Sequence, residues 1–256
     1  MYLKEVFNSA SIQENEADIY FYGDIIADEG YSWGEDEVYP SFVAKFLKDV
    51  EDKTLNVHIN SAGGNVFAGF AIYNMLKQRK AKTVVYVEGW AASIASVIAM
   101  AGAEIHIYNN CYLMIHKAWT MACGNSTELA KTVATLEQLD TAILDIYKGR
   151  MNNASEGNVE YLKNLIANES FLNAEEVAEL FSNVILEDAL DVVACAKGEY
   201  TAKMKLPKNI TLVDIENKSD SEKKKQLECK IKILKLQEEM KLWKSRWKSE
   251  IRLMQN

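Results

Sequence analysis

Two stretches in the middle of the chain share one pattern, and this pattern restricts the fold more than any other feature. They read LNVHINSAGGNVFAGFAIYNML from residue 55 and TVVYVEGWAASIASVIAMAG from residue 83. Each begins as an apolar strand, passes through a glycine-containing turn and continues as a helix of small and apolar residues. Because repeated strand–helix units place their strands side by side in one direction, we predict an α/β fold with a largely parallel sheet.

Hydrophobic periodicity predicts the other elements of the chain. We predict strands at residues 18–26, 55–60, 83–88, 104–107, 111–115 and 189–194. We predict helices at residues 39–50, 66–79, 91–101, 126–151, 159–166 and 174–181. Gly89 is predicted to form the turn after the third strand, and Thr127 to cap the fourth helix.

The distribution of charge separates the end of the chain from the rest. The whole chain has a net charge of −8, yet residues 222–256 hold 11 Lys and Arg against 5 Asp and Glu. We therefore predict a globular domain at residues 1–200, a linker at 201–221 and a basic amphipathic helix at 222–256. That helix is open to several interpretations: a partner or self-assembly segment, a segment removed by cleavage, or a helix packed on its own domain.

Several classes of protein are disfavoured by what the sequence lacks. The first 18 residues contain no apolar core behind a basic patch, and the longest apolar run, residues 91–102, is too short to span a bilayer. The chain has neither CxxC pairs nor a GxGxxG or GxxxxGK[ST] motif. We expect a cytoplasmic protein with no cofactor, no metal, no membrane contact and no specific nucleic-acid partner.

A serine and a histidine are the candidates for chemistry. Ser93 lies where the second strand–helix unit turns, and exposed N–H groups at such turns can bind a developing oxyanion. Of the three histidines, His58 and His106 lie within predicted strands and are assigned structural roles. His116 ends a predicted strand, where the sites of parallel sheets collect, so it is the candidate base. Each signal alone is more often structural than catalytic.

Four motifs in order resemble the proteolytic subunit of the Clp protease, known as ClpP. They are INSAGGNVFAGFAIYNML, EGWAASIASVIAMAG, YLMIHKAW and ESFLNAEEVAEL, and the resemblance spans roughly residues 18–190. It is closer still to the ClpP-like head maturation (prohead) proteases of tailed bacteriophages. The resemblance implies a ClpP/crotonase-type fold of repeated β-β-α units, to which this chain adds a C-terminal helical extension.

The resemblance also implies roles for individual residues. Ser93 corresponds to the nucleophile and His116 to the general base of the family. The backbone N–H groups of Gly64 and Ile94 correspond to the oxyanion hole. Glu169 occupies the position of the aspartate that usually completes the triad, so the resemblance implies Glu169 as the third member with a residue type that departs from the family. A further departure is an alanine at position 62, where the family usually has proline.

The function implied by the resemblance is that of a serine endopeptidase. The predicted helix 126–151 and a strand at 118–125 match the handle through which ClpP rings interlock, so a homo-oligomeric ring is expected. Capsid or scaffold proteins are the expected substrates, in the host cytoplasm or inside an assembling prohead. The alternatives are a Clp-type subunit that works with an unfoldase, a catalytically silent scaffold protein and a crotonase-type acyl-CoA enzyme.

Overall fold

The computed structural model describes residues 10–28, 30 and 37–188 of the chain. In chain order the described elements are β1 (Ala10–Ile12), β2 (Glu16–Phe21), α1 (Pro40–Asp49), β3 (Thr54–Ser61), α2 (Val66–Lys77), β4 (Thr83–Ala92), α3 (Ile94–Ala99), β5 (Glu104–Tyr108), β6 (Tyr112–Ile115), α4 (Ser126–Lys148), α5 (Glu156–Ala167), β7 (Ser170–Asn173), α6 (Ala174–Leu180) and β8 (Val184–Glu187). The predicted strand 189–194, the linker 201–221 and the helix 222–256 lie outside the described residues.

The described strands form one sheet in the order β1-β2-β3-β4-β5-β8. From β2 to β8 each neighbouring pair is parallel, and only β1 runs antiparallel to its neighbour β2. β6 pairs parallel with the end of β4 and antiparallel with β7. The structure thus confirms the predicted α/β fold with a largely parallel sheet.

One face of this sheet is packed and the other remains partly open. Alternate residues of the central strands are almost fully buried: Ala17, Ile19, Phe21, Leu55, Val57, Ile59, Val85, Val87, Ile105 and Ile107. Successive side chains in a strand point to opposite faces, so Tyr20, His58, Tyr86 and His106 occupy the other face and are only partly buried. Burial of one apolar set fixes the register of the strands, because a slip by one residue would expose that set.

β4 exchanges one neighbour for another along its length, and this exchange creates the site. Its first half pairs with β5, whereas its last three residues pair with β6. At the very end Ala92 lies opposite Met114. The residue after β4 and the residue after β6 are therefore brought to the same edge of the sheet.

The predicted turn at Gly89 and the predicted start of the next helix are wrong. β4 continues through Gly89 as far as Ala92, because β6 offers hydrogen-bonding partners at that point. α3 consequently begins at Ile94 and ends at Ala99 instead of covering residues 91–101. Local propensity could not reveal this extension, since alanine is a poor strand former and the stabilising strand is distant in sequence.

Other differences are smaller. The predicted strand 18–26 ends at Phe21, and Ile25 forms only isolated bridges to Val38 and Gly64. α4 is capped by Asn125 instead of Thr127, because the Asn125 side chain accepts hydrogen bonds from the N–H groups of Thr127 and Glu128. The predicted handle strand is also wrong, since residues 118–125 form no strand in the structure.

Three short strands were not predicted, namely β1, β7 and β8, because runs of three or four residues carry little periodicity.

Among the described helices, none combines the length and the apolar character needed to cross a membrane.

Candidate active site

Ser93 occupies the single residue between β4 and α3, in a conformation that is rare for a residue with a side chain. Its φ is 55° and its ψ is −127°. Such backbone conformations persist only where the surrounding structure holds them, and they concentrate at functional sites. The Ser93 N–H donates to the Met114 carbonyl at 2.9 Å, which ties the turn to β6. The result is a sharp strand-to-helix turn like the nucleophile elbow of serine hydrolases.

His116 directly follows β6 and meets the Ser93 side chain. Its Nε2 lies 2.6 Å from Ser93 Oγ, within hydrogen-bonding distance. Burial lowers the pKa of the His116 imidazole, while the nearby charges of Glu169 and Asp140 partly oppose this shift. A lowered pKa keeps the ring neutral at neutral pH, so that Nε2 can accept the proton of the Ser93 hydroxyl.

The Gly63–Gly64 turn approaches Ser93 so closely that side chains do not fit there. Gly63 and Gly64 have φ values of 93° and 145°, in the region that favours glycine. A Cβ at Gly63 would lie 2.6 Å from the Ala92 carbonyl oxygen, and one at Gly64 would collide with the carbonyl of Ile25. The missing side chain at Gly63 therefore lets the turn approach the backbone beside Ser93, and the missing side chain at Gly64 lets it approach Ile25.

The predicted oxyanion amides lie beside the serine. Ile25 hydrogen-bonds to Gly63 and Asn65, the two residues that flank Gly64, so this parallel bridge leaves the N–H of Gly64 itself unused. Gly64 lines the same cleft as the Ser93 side chain. Ile94 is the first residue of α3, where a backbone N–H has no acceptor within the helix. The role of both amides as an oxyanion hole remains a prediction.

Glu169 reaches the cleft but does not hold the imidazole. It lies in the turn between α5 and β7 with a φ of 52°, and it lines the cleft together with Ser93 and His116. Within the described part of the chain no hydrogen bond joins its carboxylate to His116. The charge of Glu169 raises the pKa of His116, and its assignment as the third member of a triad stays a prediction.

Asp140 is a second acidic neighbour that sequence reasoning missed. Its Oδ1 accepts the N–H of Ala118 at 2.8 Å, and its Oδ2 lies 3.9 Å from the Lys117 ammonium. Both partners follow His116 directly, so Asp140 anchors the segment after the histidine to α4. No local signal marks this residue, because α4 carries many charges and only the tertiary structure shows which one faces the site.

Two clefts meet at Ser93 and His116. One, of about 380 Å³, also contains Gly64 and Glu169. The other, of about 580 Å³, runs between the start of α2 and α4. Apolar side chains that line this second cleft are Phe67, Trp119, Met121, Leu136 and Leu139. The catalytic candidates therefore lie at the junction of two open clefts, an arrangement that can hold an extended chain on both sides of the bond attacked.

The other two histidines do not line these clefts. His58 Nδ1 lies 2.8 Å from a Glu88 carboxylate oxygen, and its ring stacks on Tyr20 and Tyr86. His106 Nδ1 lies 2.6 Å from Glu187. No group of three His, Cys, Asp or Glu side chains in the described residues is arranged to hold a metal ion.

The fold and the site together define an α/β protein with the serine–histidine geometry of serine hydrolases. The family profile described as Clp protease matches residues 34–184, which is well over half of the chain. The chain therefore belongs to the Clp protease family, as the motifs predicted.

Individual relatives agree with the family assignment. The chain is 32% identical over 126 residues to the ATP-dependent Clp protease proteolytic subunit of Bdellovibrio bacteriovorus, covering 45% of this chain and 59% of that protein. It is 38% identical over 99 residues to the protein of the same name from Ligilactobacillus salivarius, covering 37% and 50%. For that of Deinococcus radiodurans the values are 30% over 118 residues, covering 44% and 58%. The chain thus spans about half to three fifths of the length of these relatives.

Proposed function

We propose that this protein is a serine endopeptidase in which Ser93 is the nucleophile and His116 the general base. The observation that carries the proposal is the 2.6 Å approach of Ser93 Oγ and His116 Nε2 at a strained strand-to-helix turn. A serine hydroxyl is a weak nucleophile unless a neighbouring base removes its proton. Membership of the Clp protease family supports the same activity.

In the proposed reaction His116 takes the Ser93 proton while Oγ attacks the carbonyl carbon of a peptide bond. The N–H groups of Gly64 and Ile94 stabilise the negative charge on the carbonyl oxygen, an effect worth about 10²–10³ in rate for one donor. Protonated His116 then gives its proton to the leaving amine, which leaves an acyl group on Ser93. Water, deprotonated by the same imidazole, releases the acyl group and restores the enzyme.

The nucleophile is tested with a fluorophosphonate probe, which labels serines that a neighbouring base activates. We expect wild-type protein to be labelled and Ser93→Ala to lose the label. Ser126→Ala is the matched control, since Ser126 is an exposed serine at the start of α4 and outside both clefts, and it should be labelled like wild type. Failure of wild-type protein to react, or labelling of Ser93→Ala at the wild-type rate, would contradict the proposal.

The proposed substrate is an extended polypeptide. Two adjoining clefts at the serine suit a chain that continues on both sides of the cleaved bond, and apolar walls suit apolar side chains. Mass spectrometry of the products of an unfolded protein tests this point. Cuts inside the chain, enriched next to large apolar residues, are expected, whereas removal of terminal residues alone would exclude an endopeptidase.

The narrower role that we propose is processing of capsid or scaffold proteins during phage head maturation. Its support is the sequence resemblance to prohead proteases together with the basic segment 222–256. The alternative is a subunit that depends on an unfoldase, and it is favoured by the names of the bacterial relatives, which are subunits of ATP-dependent proteases. Cleavage of purified capsid or scaffold protein without ATP supports the first role. Degradation of folded proteins only with an added ATPase supports the second.

Self-association into a ring is part of the proposal. α4 has only two buried residues, Ile143 and Tyr147, while Leu129 and Val133 on its first turns are 40% and 54% exposed. Apolar side chains in such positions are commonly covered by another subunit. Light scattering should give a mass of several chains for wild type and a smaller mass for Val133→Lys. Ala134→Lys, at an exposed neighbouring position that lines neither cleft, is the control.

A further inference from the structure

A pair of buried hydroxyl groups lies directly behind the turn that carries Ser93. Ser96 belongs to α3 and is completely buried, and Tyr147 belongs to α4 and is 1% exposed. The two side-chain oxygens are 2.8 Å apart. Burial raises the pKa of the Tyr147 hydroxyl, so that this group keeps its proton.

The Ser96 hydroxyl contacts the backbone of the Ser93 turn and of β6. Its Oγ lies 2.5 Å from the carbonyl oxygen of Ser93 and 3.1 Å from that of Met114. The Met114 carbonyl also accepts the Ser93 N–H at 2.9 Å. One side chain therefore joins the turn of the candidate nucleophile to β6, the strand that His116 follows.

The number of protons fixes the direction of these hydrogen bonds. A serine hydroxyl has one proton, and carbonyl oxygens only accept, so the Ser96 proton is directed to the two carbonyls. The bond between the hydroxyls must then be donated by Tyr147 to Ser96 Oγ. The result is a directed chain from α4 through α3 to the backbone of Ser93.

We propose that Ser96 and Tyr147 are positioning residues that hold Ser93 in the orientation its hydroxyl needs to meet His116. This proposal rests on the proposed function. Ser93 has a φ of 55°, which its own backbone does not favour, so the surrounding contacts must hold it there. Loss of the hydroxyl chain lets the turn relax toward an ordinary conformation and moves Oγ away from His116 Nε2.

The test compares Tyr147→Phe, Ser96→Ala and the double variant with Thr83→Val. Thr83 is the matched control, because it is 5% exposed and its hydroxyl has no hydrogen-bond partner in the described residues. We expect Tyr147→Phe and Ser96→Ala to slow fluorophosphonate labelling and lower kcat by roughly tenfold, since small displacements of a nucleophile have large effects on rate. KM should stay unchanged, and Thr83→Val should react like wild type.

The double variant shows whether Tyr147 and Ser96 act through one chain of hydrogen bonds or independently of each other. If Tyr147 acts through Ser96, the double variant loses no more activity than Ser96→Ala alone. Additive losses would overturn the proposed path. Wild-type labelling rates in both single variants would overturn the positioning role while leaving the proposed peptidase intact.

A second measurement does not depend on catalysis. The exchange rate of the Ser93 amide hydrogen, measured by NMR, reports the bond from Ser93 N–H to the Met114 carbonyl. Exchange should be faster in both single variants and unchanged in Thr83→Val. If the wild-type protein proves inert toward the probe, the proposed function fails, and this exchange rate alone decides the positioning role: an unchanged rate in both variants rejects it.

Discussion

His58 lies within β3 between two tyrosine rings, whereas His116 follows the end of β6 beside a serine hydroxyl. His58 Nδ1 is 2.8 Å from Glu88, and its Nε2 is 3.5 Å from Asp18. His116 Nε2 is 2.6 Å from Ser93, and in the described residues its other ring nitrogen makes no hydrogen bond. By contact with acidic residues alone, His58 resembles the histidine of a triad more than His116 does.

The surroundings of the two histidines differ in more than their acidic neighbours. Both faces of the His58 ring are covered, by Tyr20 at 4.4 Å and by Tyr86 at 5.1 Å between ring centroids. Its partner Glu88 also accepts a hydrogen bond from Tyr22, so this carboxylate joins His58 to a second tyrosine side chain. His116 instead has the Ser93 hydroxyl and two open clefts beside it. We therefore expect His58 to stabilise the sheet and His116 to support chemistry.

The largest expected contrast is in the rate of peptide hydrolysis. His116→Ala should lower kcat/KM by about 10⁴-fold, because the nucleophile loses its base. His58→Ala should stay within about threefold of wild type, since substitutions outside a site rarely change chemistry. Steady-state kinetics with a fluorogenic peptide measure both. Equal losses of kcat/KM in the two variants would contradict the assignment of a structural role to His58 and a catalytic role to His116.

The next largest contrast in kcat is expected between substitutions of Glu169, near His116, and of Glu88, beside His58. Glu169→Gln should lower kcat by about ten- to a hundredfold, less than in triads whose acid bonds the histidine directly. Glu88→Gln, the matched substitution beside His58, should leave kcat near wild type. Both variants should keep the oligomeric mass of wild type by light scattering. Unchanged kcat in Glu169→Gln would show that Asp140 or the backbone orients His116.

For the free energy of unfolding, His58→Ala should have a larger effect than His116→Ala, which is the reverse of the order expected for activity. His58→Ala removes a largely buried partner of Glu88 and should lower the free energy of unfolding by about 1–3 kcal/mol. His116→Ala should cost less, because its ring borders open clefts. Urea denaturation followed by circular dichroism measures both values. A larger loss for His116→Ala would mean that the site histidine is the structural one.

The smallest expected effect is a shift in pH dependence. His116 must be neutral to act as base, so kcat/KM is full above its pKa and falls as the pH drops through it. Burial lowers this pKa, so the midpoint of the acidic limb should lie below about 6.5. The Glu169 carboxylate raises the same pKa, and Glu169→Gln should therefore move the limb to lower pH. Glu88→Gln should not move it, and a shift there would link the two histidine sites.

Much of the fold and part of the site could be predicted because they depend on neighbours in the chain. The strand–turn–helix units follow from residues within one window, and the buried alternation of β3 follows from its own apolar pattern. The same local features single out Ser93 and His116, and the structure brings these two side chains together.

The class of fold, the family and the pair Ser93 and His116 could thus be identified from the amino-acid sequence, because they depend on local pattern. Three features became visible only in the folded molecule: β4 continues to Ala92, Asp140 faces the segment after His116, and Glu169 makes no hydrogen bond to the imidazole. These features depend on contacts between elements distant in sequence. Which side chains meet at the site depends on how the strands and helices pack against one another. No single segment of the chain contains that information.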